Sequence, residues 1–210
     1  MSKIVVDAGH GGKDSGAVNV KLYEKDVTLD IALRLEGLLK ARGYEVTLTR
    51  KDDTFVALSD RAKIANNVNA DIFISIHCNG AGNKEAEGYE TLVFEEDKLG
   101  EVIHKNMVKD LCLKDRGIKV RKDLTVLNST KMKAVLVETA FITNDNEKAK
   151  LESASFRQKV AESLLKGVEE YFGKDLKSIV KDKFGFDDNT MLYFEMYRYG
   201  DALLKRLAEN

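Results

Sequence analysis

Residues 4–12 read Ile4-Val5-Val6-Asp7-Ala8-Gly9-His10-Gly11-Gly12, an apolar run that breaks into a glycine-rich loop around one imidazole. A short apolar run of this kind is the pattern of a buried strand, and its abrupt end marks the strand's C-terminal edge. The glycines bare the backbone there and leave room for a ligand.

Strands and helices alternate outward from this point. Val27, Ile31, Leu35, Leu38 and Leu39 recur at helical spacing over Asp26–Leu39, and Gly43 supplies a stop. Tyr44–Leu48 reads as a second strand, Leu58–Val68 as a helix that Ser59 is placed to cap, and Asp71–His77 as a strongly apolar strand. Tyr89–Phe94 follows as a strand and Leu99–Leu111 as a helix. Leu124–Leu127 and Ala134–Glu138 complete the strands, and Phe156–Tyr171 is the closing helix. Strands separated by helices predict an α/β fold, a three-layer α/β/α arrangement with a mostly parallel twisted sheet of the phosphorylase/hydrolase kind. Gly173 closes the pattern, so residues 1–173 read as one domain and residues 174–210 as a short helical tail. In the tail, Leu176, Ile179 and Val180 form a helical stripe with Phe184 and Phe186 beyond it, and Met191–Leu207 gives a second helix rich in Tyr193, Phe194, Tyr197 and Tyr199.

Composition excludes several function classes. Charged residues make up 33% of the 210, yet the formal net charge is −1, so clustered positive charge for nucleic acid is not expected. No segment approaches the roughly 18 apolar residues of a membrane span, so no membrane insertion is expected. The N-terminus lacks the charged-then-apolar pattern of a signal peptide, which predicts synthesis in a cytoplasm. Cys78 and Cys112 are too few for a disulfide framework and fit a reducing compartment. Cys78 follows His77 on a strand and should turn to the opposite face.

The chemistry lies at the strand edges. His10, His77 in Ser75-Ile76-His77-Cys78-Asn79, and Glu138 in Val135-Leu136-Val137-Glu138-Thr139 each fall at or just past a strand end, while Glu24 falls at a helix start. In open α/β sheets ligands bind beyond the carboxyl ends of the strands, so the four converge on one expected site. Two imidazoles and one carboxylate suit zinc, one ion per chain, with a fourth position open for water. His10, His77 and Glu24 read as the ligands and Glu138 as the base that takes and returns the proton in hydrolysis. A carboxylate ending an apolar strand is costly to bury without such a purpose. His104 falls in a charged helix and is read as solvated. A phosphate-loop reading of Gly9–Lys13 fails, because Asp7 stands where the first glycine is needed and Asp14 where Ser or Thr is needed.

These motifs, Asp7–Gly12, Glu24, Ser75–Asn79 and Val135–Glu138 in that order, resemble the zinc-dependent N-acetylmuramoyl-L-alanine amidases of the type-3 amidase family. The resemblance spans about residues 3–172. It implies that His10, Glu24 and His77 bind zinc, that Glu138 is catalytic, and that the substrate is peptidoglycan, cut between the muramic acid lactyl group and L-alanine. Asn79, Arg50 and Arg61 match family positions and are carried as substrate-contact candidates, the arginines equally as structural ion-pair partners. Lys133 stands where many bacterial members have proline, and Asp123–Lys131 resembles phage lysins of the family. The resemblance therefore implies a phage or prophage endolysin, made inside the cell and acting on the wall after release. The alternatives are a sporulation amidase of mother-cell lysis and a non-catalytic wall-binding protein. Residues 174–210 resemble no wall-binding module. They are left as a remnant of one, a clamp on the catalytic domain, or a hairpin that forms a homodimer.

Overall fold

Ile4, Val5 and Val6 are all buried, as an unbroken apolar run requires of a strand covered on both faces. The computed structural model describes residues 1–173 and, beyond them, 180–181, 183–187, 189–191 and 200–209. Leu176, Ile179, Tyr193, Phe194, Tyr197 and Tyr199 of the expected tail helices lie outside the described residues.

In chain order the elements are β1 (Lys3–Ala8), β2 (Val18–Asn19), β3 (Leu22–Tyr23), α1 (Glu24–Ala41), β4 (Glu45–Leu48), α2 (Leu58–Asn67), β5 (Ile72–Asn79), β6 (Tyr89–Val93) and α3 (Lys98–Leu111). Then come β7 (Asp115–Val120), α4 (Thr125–Asn128), β8 (Lys133–Phe141), α5 (Asp145–Glu152), α6 (Ala154–Tyr171) and, in the tail, α7 (Gly200–Glu209). Six strands form one sheet in the order β4-β1-β5-β8-β6-β7, and β2 pairs with β3 as a separate hairpin. Every neighbour pair in the sheet is parallel except β6 with β8.

One face of the sheet carries Val5, Phe73, Leu92 and Leu136 against Ala65 of α2 and Val126 and Leu127 of α4. On the other face α3 lies over β6, where His104 stacks on Tyr89 with ring centroids 5.4 Å apart. The helix α6 packs beside α3, since a Cβ on Gly167 would meet Ile103 at 2.7 Å, and beside α1, since Arg157 pairs with Asp30 at 2.5 Å. The result is the three-layer α/β/α arrangement.

Several elements depart from the sequence reading. Leu124–Leu127 is not a strand: Thr125–Asn128 is a single helical turn, and the strand at this edge is β7. A four-residue apolar run has no periodicity to separate a buried strand from a buried helical turn. Ser59 caps nothing, because α2 starts after Ala57 with no side-chain cap. His104 is not merely solvated; its Nδ1 bonds Thr91 at 2.9 Å and its Nε2 reaches Asp115 at 3.0 Å. No described helix is long and apolar enough to cross a membrane.

The chain divides into two compact units, Met1–Val168 and Glu169–Asn210. In the second, Val180, Met191, Leu204 and Ala208 are buried together, with Phe186 and Leu207 packed against them.

Candidate functional site

The register of the sheet places the chemistry. His77 on β5 lies beside Glu138 on β8, and Glu138 lies beside Glu90 on β6. Residues paired across strands share a face, so one imidazole and two carboxylates stand in a row. The strands run on past this row to Asn79 and Phe141, with an irregularity between His77 and Asn79, so His77 and Glu138 sit inside strands rather than at their ends.

Glu24 is the first residue of α1, where the helix dipole favours a carboxylate. Its Oε2 accepts the Ala17 N–H at 2.8 Å and its Oε1 the Cys78 N–H at 2.9 Å. The same Oε1 lies 3.0 Å from His10 Nε2 and 3.0 Å from His77 Nδ1. One potential ligand atom from each of His10, Glu24 and His77 falls within 4.8 Å of the others. The two rings meet edge to face, with centroids 4.8 Å apart.

Local backbone makes this approach feasible. A Cβ on Gly9 would come within 2.5 Å of the His77 ring, and one on Gly16 within 2.5 Å of Glu24 Oε2. His10 itself adopts a left-handed φ of 60°, uncommon for a residue with a side chain. It is held there from two sides. Asp14 accepts from its Nδ1 at 2.9 Å, and the Gly11 and Asp14 backbones bond each other across the turn. Below it, Arg61 Nη2 donates to the His10 carbonyl at 2.6 Å.

Arg50 and Arg61 therefore do not face a substrate. Both are buried, and their guanidiniums are spent on the loop: Arg50 donates to the Ala8, Gly9, Lys25 and Asp52 carbonyls, Arg61 to those of Val56, Ala8 and His10. Arg61 also pairs with buried Asp7 at 2.8 Å. Of the two readings carried for these arginines, their burial and bonds favour the structural one. Asn79 does line the cleft, but its Nδ2 donates to Glu90 Oε1 at 2.8 Å. Cys78 is buried, with its Sγ 3.3 Å from Thr139, and burial pushes its thiol well above its ordinary range.

Electrostatics divide the acidic groups. Burial opposes charge on Glu24, but His10 and His77 outweigh it and hold the carboxyl below the usual range. Burial also opposes charge on His10, and Glu24 and Asp14 overcome it, raising the ring to about 9. His77 is raised in the same way by Glu24. Metal-free, the group thus draws positive charge, and two imidazoles with one carboxylate fit a divalent cation of borderline softness. Asp14 on the far nitrogen of His10 is the outer partner that fixes such a ligand's tautomer.

Glu138 and Glu90 diverge although they are neighbours. Glu90 is lowered, because Lys119 and Arg116 more than offset its burial. Glu138 differs: its Oε2 is buried without a hydrogen-bond partner, and burial, only partly opposed by His77 and His10, raises the carboxyl to about 7. Neighbouring carboxyls pushed apart in this way mark the one that exchanges a proton near neutrality. The residues open onto a cleft of about 610 Å³ that His10, Glu24, His77 and Glu138 line together with Arg121. No site role is read from the sequence for Asp14, Glu90 or Arg121. Only the turn that returns Asp14 to His10 and the sheet register that sets Glu90 beside Glu138 reveal the first two.

A family model described as N-acetylmuramoyl-L-alanine amidase matches residues 4–170. LytC of Bacillus subtilis strain 168, an N-acetylmuramoyl-L-alanine amidase, is 38% identical over 175 residues, which cover 80% of this chain and 35% of that protein. The present chain therefore corresponds to about a third of LytC. The endolysin of Bacillus phage SPP1 is 41% identical over 192 residues, covering 85% of this chain and 69% of the phage protein. Among solved structures, the catalytic domain of the amidase CwlV from Bacillus (Paenibacillus) polymyxa var. colistinus superposes with a TM-score of 0.80 at 40% identity. That match covers 83% of this chain and all of that domain, 100%.

Proposed function

Because the chain belongs to the N-acetylmuramoyl-L-alanine amidase family, we propose that it hydrolyses the amide between the lactyl group of N-acetylmuramic acid and L-alanine in peptidoglycan, as a phage or prophage endolysin. The observation that carries this reading is the orphaned, buried oxygen of Glu138 beside the His10–Glu24–His77 group. A carboxyl left without a partner inside a protein is costly, and it is expected where its proton is used.

In this reading His10, Glu24 and His77 would hold one zinc ion per chain. When bound there, zinc supplies Lewis acidity to polarise the scissile carbonyl and lowers the pKa of water. Glu138 accepts a proton from the attacking water and delivers it to the L-alanine nitrogen as the C–N bond breaks, which leaves a lactyl carboxylate and a free amine. Asp14 fixes the His10 ring, and the Asn79–Glu90 bond holds the rim of the cleft beside the reacting atoms.

The endolysin role is supported by the similarity to the SPP1 endolysin and by the lysin-like segment Asp123–Lys131. Glu138→Gln tests the mechanism. The variant should retain zinc near one ion per chain while hydrolysis of purified walls falls by at least about 100-fold. Turnover equal to the wild type would remove Glu138 from the reaction, and a wall-binding role without catalysis predicts no turnover in either protein.

A further inference from the structure

The cleft extends past the reaction centre along the sheet. Because Leu136 pairs with Leu92 as Glu138 pairs with Glu90, all four side chains share one face. Leu136, Leu92 and Leu124 line the cleft as an apolar floor, and Arg121 lines it too. Among the described residues no other arginine or lysine does so.

Arg121 is built to present one edge of its guanidinium. Its backbone N–H donates to the Val93 carbonyl at 2.8 Å, which anchors it at the end of β7. Its Nε donates to Asp123 Oδ1 at 2.8 Å and its Nη2 to Oδ2 at 2.7 Å. This pair uses the side edge of the fork, and Nη1 enters neither bond. The end edge, Nη1 with Nη2, can still take a second carboxylate in a bidentate contact. The pair is exposed, 45% at Arg121 and 66% at Asp123, so the guanidinium is oriented while staying accessible from solvent.

Resting on the amidase reading above, we propose that Arg121 is a specificity residue that receives the free α-carboxylate of the D-glutamate following L-alanine in the stem peptide. The spacing agrees. From Glu138 to Leu136 is two residues of strand, about 7 Å. From the L-alanine nitrogen to the next residue's carboxyl is two residues of extended peptide, about the same length. A stem laid along the floor puts the alanine methyl over leucine side chains and its first anion near Arg121.

The test compares two muramyl peptides, N-acetylmuramoyl-L-alanyl-D-glutamate and its D-isoglutamine counterpart, in which that carboxylate is amidated. The wild type should prefer the free acid by about tenfold or more in kcat/KM, carried mainly by KM. Arg121→Gln should bring the ratio close to one. Arg121→Lys, which keeps the charge but loses the fork, should fall between. Each ratio is measured within one protein, so a misfolded fraction cancels. A wild-type ratio near one, or a preference that survives in Arg121→Gln, overturns the proposal while leaving the amidase reading in place. If the wild type cuts neither peptide nor intact wall, the amidase reading itself falls and this proposal with it.

Discussion

Asp7 is fully buried, and its carboxylate accepts from Arg61 at 2.8 Å, Thr49 at 2.7 Å and Ser75 at 2.6 Å. Arg61→Ala leaves that charge without its cation and frees the His10 carbonyl, a loss on the order of 3–5 kcal/mol for a buried pair broken on one side. Urea unfolding should show the lost stability and metal titration a weakened site; a variant as stable as the wild type contradicts the scaffold role. Glu138 makes the opposite case. Its carboxyl is raised from 4.5 to about 7, so the metal-free folded protein holds that proton more tightly than the unfolded chain does. The resulting stability is complete below the unfolded value and is lost as pH rises through about 7. Glutamine carries no charge to bury, so metal-free Glu138→Gln should exceed the wild type by about 3 kcal/mol at about pH 8 and match it at about pH 4. Thermal melts across that range check it, and equal stability at both ends would mean the carboxyl is not strained. At this scale the sequence was readable where a charged group ends an apolar run, as His77 and Glu138 do. Arg50 and Arg61 carry no mark in sequence that separates a buried guanidinium from one facing substrate.

Among the elements, β1, β5 and β8 were legible because each is a β-branched or aliphatic run too long for its polar surroundings to obscure. β7 was not. Asp115-Arg116-Gly117-Ile118-Lys119-Val120 is an edge strand with charges along it and Gly117 at a φ of 83°, so neither alternation nor propensity marks it. The helix α5 did carry a signal: Asn144 accepts from the Asn146 and Glu147 N–H groups, the signature of Asn followed three residues later by Glu. Glu147 then bonds the Gly88 and Phe141 N–H groups at 2.8 and 2.6 Å, tying the loop before β6 to the end of β8. Caps also separate two residues that look alike in sequence. Asp97 accepts the Gly100 N–H at 2.9 Å and caps α3, whereas α2 has no side-chain cap. Asp97→Ala should cost about 1 kcal/mol and Ser59→Ala less than about 0.5 kcal/mol. Equal losses in denaturant midpoints would show the cap assignment to be wrong.

For the whole molecule, the family match ends at residue 170 and the first compact unit at Val168. A chain ended after Gly173 should fold and retain hydrolysis of soluble muramyl peptides within about twofold, and any loss on intact walls would then belong to residues 174–210. Failure of the shortened chain to fold would make the tail part of the catalytic unit. The four site residues come from β1's loop, the start of α1, β5 and β8, so their convergence exists only once the sheet order is set. Sequence spacing hinted at that convergence through a shared edge, while the partners that tune it, Asp14 and Glu90, needed the folded turn and the register. The most direct measurement is release of new L-alanine amino termini from purified Gram-positive peptidoglycan, before chelation, after it, and after zinc is restored. Release that stops on chelation, returns with zinc, and is absent in Glu138→Gln is the expected result. Zinc-loaded, folded protein that releases no L-alanine termini would contradict the account.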